Sequence, residues 1–161
     1  MIHIRRAGTL DAGAMADLLN EIIAIGGTTA ITKPVTRADL HEWMGYFPNK
    51  SAWYVAEDET GNMLGFQYIE PHGNLPPEAC DIATFVRYGQ TGLGIGSRLF
   101  DATKIAAKAL GYRWINATIR ADNTGGLAYY QSRGFEDYTL QRNIALADGT
   151  IVDRIQKRFD F

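Results

Sequence analysis

Hydrophobic positions along the chain switch between two periods, and the switches mark its elements. Ile2 to Arg6 alternates apolar with polar residues and reads as a strand. Asp11 to Ile25 carries Met15, Leu18, Leu19, Ile22 and Ile23 at helical spacing, and Gly26-Gly27-Thr28-Thr29 ends that helix. A polar loop runs to Pro34, after which Thr36 is placed to cap a short second helix bearing Leu40, Trp43, Met44 and Phe47. Trp53 to Glu57 and Met63 to Ile69 are strand-like runs joined by the hairpin-type turn Asp58-Glu59-Thr60-Gly61-Asn62. Pro71 to Glu78 is a loop and Cys80 to Arg87 the next strand. From Ser97 to Leu110 the residues Leu99, Ala102, Ile105, Ala106, Ala109 and Leu110 form one apolar stripe opposite Asp101, Lys104 and Lys108, with Gly111 as terminator. Trp114 to Ile119 is a strand, Asn123 caps a helix reaching Arg133, and strands at Phe135 to Ala145 and Thr150 to Phe159 flank the turn Asp148-Gly149. The order βααβββαβαββ predicts an α/β (α+β) fold, a mixed sheet with helices on both faces. Without a repeat, a linker or a low-complexity tract, residues 1–161 read as one domain.

Composition narrows what such a domain does. The 161 residues are 46% hydrophobic, enough for a sizeable core, and the formal net charge of -2 without a basic run supplies no electrostatic footprint for nucleic acid. No apolar run approaches the roughly 18 residues of a membrane span, and Met1 to Arg6 lacks the apolar centre of a secretory signal. The expectation is a soluble, cytoplasmic protein with neither nucleic acid nor membrane as partner. The lone Cys80 forms no internal disulfide and reads as a small core residue, in keeping with a reducing compartment. His3, His41 and His72 are scattered without ligand spacing, so no metal is expected.

The candidate chemistry begins at Gln90-Thr91-Gly92-Leu93-Gly94-Ile95-Gly96-Ser97, where three glycines join a strand to a helix. Backbone N–H groups at such a helix start favour an anion, typically a phosphate. The loop lacks the Gly-Lys-Ser/Thr of a Walker site and fits a dinucleotide fingerprint poorly, which leaves a tight turn that binds nothing as the plain alternative. One strand later comes Asn123, followed by Tyr130-Gln131-Ser132-Arg133-Gly134-Phe135.

Gly94-Ile95-Gly96 followed by Asn and Tyr-x-x-x-Gly-Phe resembles the GNAT superfamily of acetyl-CoA-dependent N-acetyltransferases. The Thr-Gly-Leu-Gly form is similar to its branch that acetylates phosphinothricin and related small amines. The resemblance implies a mostly antiparallel central sheet of about seven strands, acetyl-CoA as cosubstrate and a small-molecule amine as acceptor. It places Phe85, Val86, Gln90, Thr91, Gly92, Gly94, Ile95, Gly96, Ser97, Asn123 and Tyr130 along the coenzyme. The family usually has Gln or Arg three residues before Gly94, whereas this chain has Thr91, with Gln90 displaced by one. Pyrophosphate contacts then fall mostly to backbone amides, which glycines let approach closely. The Phe85 and Val86 segment is expected to pair its backbone with the pantetheine while the side chains serve the core.

Tyr130 is the expected general acid for the departing thiolate, beside Tyr129 as a packed aromatic. Asp81 stands where the resembling branch has a catalytic-site Glu and is the first candidate base, directly or through water, with Glu70 and Glu21 in reserve. A backbone amide near Val86 is the implied oxyanion donor. Thr28, Thr29, His41 and Glu70 are the candidates for binding the acceptor, although the two threonines equally suit a turn. Exposed strand edges are compatible with a homodimer. Two other activities fit the same fold: acetylation of protein or peptide amines, and noncatalytic sensing of acyl-CoA.

Overall fold

The computed structural model describes residues 1–90 and 94–161, so Thr91 and Gly92 lie outside the described residues. Strand β1 (His3–Arg6) leads through a 3-10 turn (Thr9–Asp11) into α1 (Ala12–Ile25), and α2 (Arg37–Gly45) follows. Then come β2 (Ala52–Glu57), β3 (Met63–Glu70), β4 (Ala79–Val86), α3 (Ile95–Ala109), β5 (Trp114–Arg120), α4 (Thr124–Ser132), β6 (Glu136–Ala145) and β7 (Ile151–Asp160). The 3-10 turn is the one element the periodicity does not announce. It is closed by Asp11, whose carboxylate accepts the Gly8 N–H at 2.7 Å and a bidentate pair from Arg5 at 2.8 and 2.9 Å.

Helix α1 forms because Met15, Leu18, Leu19 and Ile22 share a face that is fully or nearly fully buried. Thr36 begins α2 with a capping box: the Asp39 N–H donates to its Oγ1 at 3.1 Å while the Thr36 N–H donates to the Asp39 carboxylate at 2.9 Å. The seven strands form one sheet in the order β1-β2-β3-β4-β5-β7-β6. Every neighbouring pair is antiparallel except β4 and β5.

Strand alternation divides the core between the two faces. On one face α1 and α2 cover Trp53, Val55, Phe66 and Phe85. On the other, Phe100, Ala106 and Ala107 of α3 and Tyr130 of α4 cover Ile69, Cys80, Ile82, Ile115, Ala117 and Ile119. The expected helices on both faces are present, and Cys80 is the buried core residue its sequence reading gave, with burial pushing its thiol up to about 12.

The break in the sheet positions the site. Strands β4 and β5 pair only from Ala79↔Trp114 to Asp81↔Asn116, and beyond that register their edges part. Residues Ile82–Val86 keep their hydrogen-bonded neighbour on the β3 side alone. No helix among the described residues is long and apolar enough to cross a membrane.

Candidate active site

The gap between β4 and β5 opens into a cleft of about 1420 Å³ that reaches both faces of the sheet. Its walls include Ile82 to Val86, Gly94 to Ser97, Thr118 to Arg120, Asn123 and Tyr130. Of the residues expected along a coenzyme, Phe85, Val86, Gln90, Gly94, Ile95, Gly96, Ser97, Asn123 and Tyr130 all line this one cleft.

Local sequence explains the turn into α3. Gly94 is its N-cap with φ of 77°, a left-handed conformation that suits glycine. The helix starts at Ile95, two residues before the expected Ser97, so Gly96 sits inside its first turn. A Cβ at Gly96 would meet the Tyr129 ring at 2.7 Å. The packing of Tyr129 against α3 thus gives a reason for glycine at 96 that is separate from approach to an anion.

Asn123 performs two tasks at the start of α4. Its Oδ1 accepts the Gly126 N–H at 3.0 Å as a cap, and its Nδ2 donates to the Thr28 carbonyl at 3.0 Å, tying α4 to the loop after α1. Thr28 and Thr29 line the cleft, and Thr29 Oγ1 accepts the Ile31 N–H at 3.1 Å, which organises the turn.

Tyr130 is 7% exposed and its hydroxyl lies 2.7 Å from Thr84 Oγ1 on β4. Burial raises its pKa well above that of free tyrosine, so it stays protonated until a strong acceptor is placed against it. Tyr129 is more than a packed aromatic. Its hydroxyl donates to the Gly96 carbonyl at 2.7 Å and accepts from Gln67 Nε2 at 3.0 Å, and burial pushes it up to about 12.

Asp81 lies on the opposite side of β4. It alternates with Ala83 and Phe85 on the α1 and α2 face, whereas Ile82 and Thr84 point toward α3 and α4. The Asp81 carboxylate lines the cleft and accepts from Asn116 Nδ2 at 2.8 Å. Asn116 is 2% exposed; Nδ2 also donates to Thr118 Oγ1 at 3.0 Å, and Oδ1 takes the Tyr138 hydroxyl proton. Burial raises the Asp81 pKa, while the Asn116 hydrogen bond, His72 and Arg154 each offset part of that rise.

Three expected residues sit elsewhere. Glu70 faces Asp81 across the β3–β4 register, but it does not line the cleft, and its Oε2 is buried without a partner among the described residues. Burial, then the nearby Asp81, pushes the Glu70 carboxyl up to about 7. His41 is exposed on α2 and outside the cleft lining, because the buried face of that helix is taken by Leu40. Glu21 pairs with Arg87 at 2.7 Å and is likewise not a cleft residue.

The structure adds residues that the motifs did not single out: Gln67, Thr84, Asn116, Tyr138, His72 and Arg154. The first, second and third had a signal. Each is a polar residue inside an otherwise apolar strand run, and a polar group buried there needs a hydrogen-bond partner. Arg154 on β7 donates from Nε to Gln141 Oε1 at 3.0 Å, lines the cleft, and has no carboxylate within 4 Å among the described residues.

The fold is shared with a crystal structure of a GNAT superfamily phosphinothricin acetyltransferase from Sinorhizobium meliloti in complex with AcCoA, at TM-score 0.89 and 21% identity over 99% of this chain and 88% of that one. Residues 49–137 match the family model described as an acetyltransferase (GNAT) domain. The chain thus belongs to the GNAT family and is an acetyltransferase. It is 31% identical to the Bacillus subtilis (strain 168) protein named "Putative phosphinothricin acetyltransferase YwnH", over 98% of this chain and 93% of the relative. It is also 29% identical to an L-methionine sulfoximine/L-methionine sulfone acetyltransferase of Pseudomonas aeruginosa PAO1, covering 83% of this chain and 79% of that protein.

Proposed function

We propose that the protein transfers the acetyl group of acetyl-CoA directly to the primary amine of a small, amino-acid-like acceptor, both substrates being bound at once. The observation that carries this reading is the parting of β4 from β5 with Asp81 on one face of the β4 edge and Tyr130 on the other. An acyl group held along that edge is open to an amine from the Asp81 side while its thiolate departs on the Tyr130 side. The unpaired β4 backbone suits the pantetheine amides, and the turn from Gly94 to Ser97 suits the pyrophosphate.

The step balances within these residues. The neutral amine nitrogen bonds to the thioester carbonyl carbon, and the C–S bond breaks. The proton shed by nitrogen passes to the Asp81 carboxylate, directly or through water, and the thiolate takes the Tyr130 proton. An amide N–H near Val86 serves the oxyanion.

Arg154 supports the acceptor class. It is a cleft cation whose Nη groups have no hydrogen-bond partner among the described residues, on the same side of the site as Asp81, and it complements an acceptor whose amine is accompanied by a carboxylate. L-Methionine sulfoximine, the substrate in the name of the Pseudomonas relative, is an amino acid of that kind. Steady-state kinetics on amino acids and their carboxamides test the assignment. Arg154→Gln should raise KM for the carboxylate-bearing acceptor by roughly 10-fold or more and change kcat little. A wild-type enzyme indifferent to the carboxylate would remove it.

A further inference from the structure

A chain of buried hydrogen bonds links the turn before α3 to the hydroxyl of Tyr130. Tyr129 Oη donates to the Gly96 carbonyl at 2.7 Å, Gln67 Nε2 lies 3.0 Å from Tyr129 Oη and 2.9 Å from Thr84 Oγ1, and Thr84 Oγ1 lies 2.7 Å from Tyr130 Oη. Gln67 is 0% exposed. Distances alone leave the direction of the last bond open, because two hydroxyls face each other.

Counting protons favours one direction. A backbone carbonyl only accepts, so the single Tyr129 hydroxyl proton is committed to Gly96. The Gln67 atom facing Tyr129 must then be a donor, which fixes the side-chain amide with its NH2 toward Tyr129 and Thr84. The reverse orientation would bury two N–H donors unpaired and set the Gln67 oxygen against a Tyr129 oxygen with no proton to give, whereas this one leaves only the Gln67 Oε1 without a partner on that side chain among the described residues. Thr84 Oγ1 therefore accepts from Gln67. Of the two phenol oxygens near it, that of Tyr129 already accepts from Gln67, and that of Tyr130 lies 2.7 Å away, open to the Thr84 proton.

We propose that Gln67 and Thr84 are positioning residues that aim the Tyr130 proton at the leaving sulfur, through a one-way hydrogen-bond chain anchored on the Gly96 carbonyl. The inference rests on Tyr130 being the general acid. With Thr84 donating to it, the Tyr130 oxygen keeps its own proton free for the cleft. As the C–S bond breaks, that proton passes to the thiolate and the phenolate left behind still receives the Thr84 hydrogen bond. The product is free thiol, and solvent reprotonates Tyr130 before the next turnover. Because Gly96 belongs to the turn that would hold the pyrophosphate, one chain ties the donor-binding turn to the acid.

A double-mutant cycle tests the proposal in the full-length enzyme with acetyl-CoA and its best amine acceptor. Thr84→Val should lower kcat about tenfold with the acetyl-CoA KM within about twofold, and Thr84→Ser should restore most of the rate. In a Tyr130→Phe background Thr84→Val should cost nothing further, since the proton it aims is gone. Gln67→Glu, whose carboxylate accepts from both neighbours and turns the chain around, should lower kcat in the same Tyr130-dependent way. If Thr84→Val does not fold, Thr84→Ala serves the same cycle. An unchanged kcat in Thr84→Val, or an equal loss in both backgrounds, overturns the chain while leaving Tyr130 as the acid. An unchanged kcat in Tyr130→Phe removes the acid and the chain together.

Discussion

The proposed base, Asp81, can accept a proton only when ionised, and its burial on the cleft wall raises its pKa above the ordinary value of 3.8. The rate should therefore rise with pH through a limb lying above the usual carboxylate range. Asp81→Asn should lower kcat by about 100-fold and abolish that limb; a mutant with the wild-type pH profile and rate would assign the proton to water or another group. Glu70 behaves differently. Its folded pKa of about 7 exceeds the ordinary 4.5, so folding favours its neutral form, and the stability this confers is present below pH 4.5 and lost as pH rises through 7. Since Glu70 is half-buried, Glu70→Gln should gain only about 1 kcal/mol relative to wild type on going from pH 5 to pH 8, measured by thermal melts. Sequence singled out Tyr130 through motif spacing and Asp81 through the family resemblance, but it could not orient them. The partners that do so, Thr84 and Asn116, come from strands 46 and 35 residues away and meet them only through tertiary pairing.

At the level of elements, the sequence located the seven strands and four helices of the described residues, the core elements because each buries one face whose apolar spacing records it, and α4 and the β6–β7 hairpin through the Asn123 cap and the Asp148-Gly149 turn. What periodicity does not record is pairing. Nothing in Cys80 to Val86 announces that β4 leaves β5 after Asp81, since the same alternating residues would serve a strand paired on both edges. The reasons for individual glycines were similarly hidden: Gly96 is needed by Tyr129 of a helix about thirty residues later. Gly96→Ala should push α4 away from α3, weaken acetyl-CoA binding and lower kcat together, as titration calorimetry and kinetics would show. Thr36→Ala, which removes the capping box of α2 outside the cleft lining, should instead cost about 1 kcal/mol of stability and leave kcat unchanged.

Across the whole molecule, the sheet serves as a partition with a slot in it. Tyr130 and the turn from Gly94 to Ser97 lie toward the α3 and α4 side, Asp81 and Arg154 toward the α1 and α2 side, and the slot between β4 and β5 joins them. The turn after α1 is fastened to β5 and α4 by Arg120 on the Thr29 carbonyl and Asn123 on the Thr28 carbonyl, so the two sides of the cleft are held together at its rim. A ligand gripped by this many elements should stabilise the fold: acetyl-CoA at about 100 times its Kd should add roughly 2.7 kcal/mol and raise Tm by roughly 5–10 °C. Binding alone would equally satisfy a sensor. The decisive measurement is release of free CoA thiol, with mass identification of the acetylated product, from acetyl-CoA and a panel of amino acids, their carboxamides, polyamines and peptides. An N-acetylated, carboxylate-bearing small amine, formed about 100-fold more slowly by Tyr130→Phe at unchanged acetyl-CoA affinity, is the predicted result. Acetyl-CoA binding with no thiol released across the panel would contradict it.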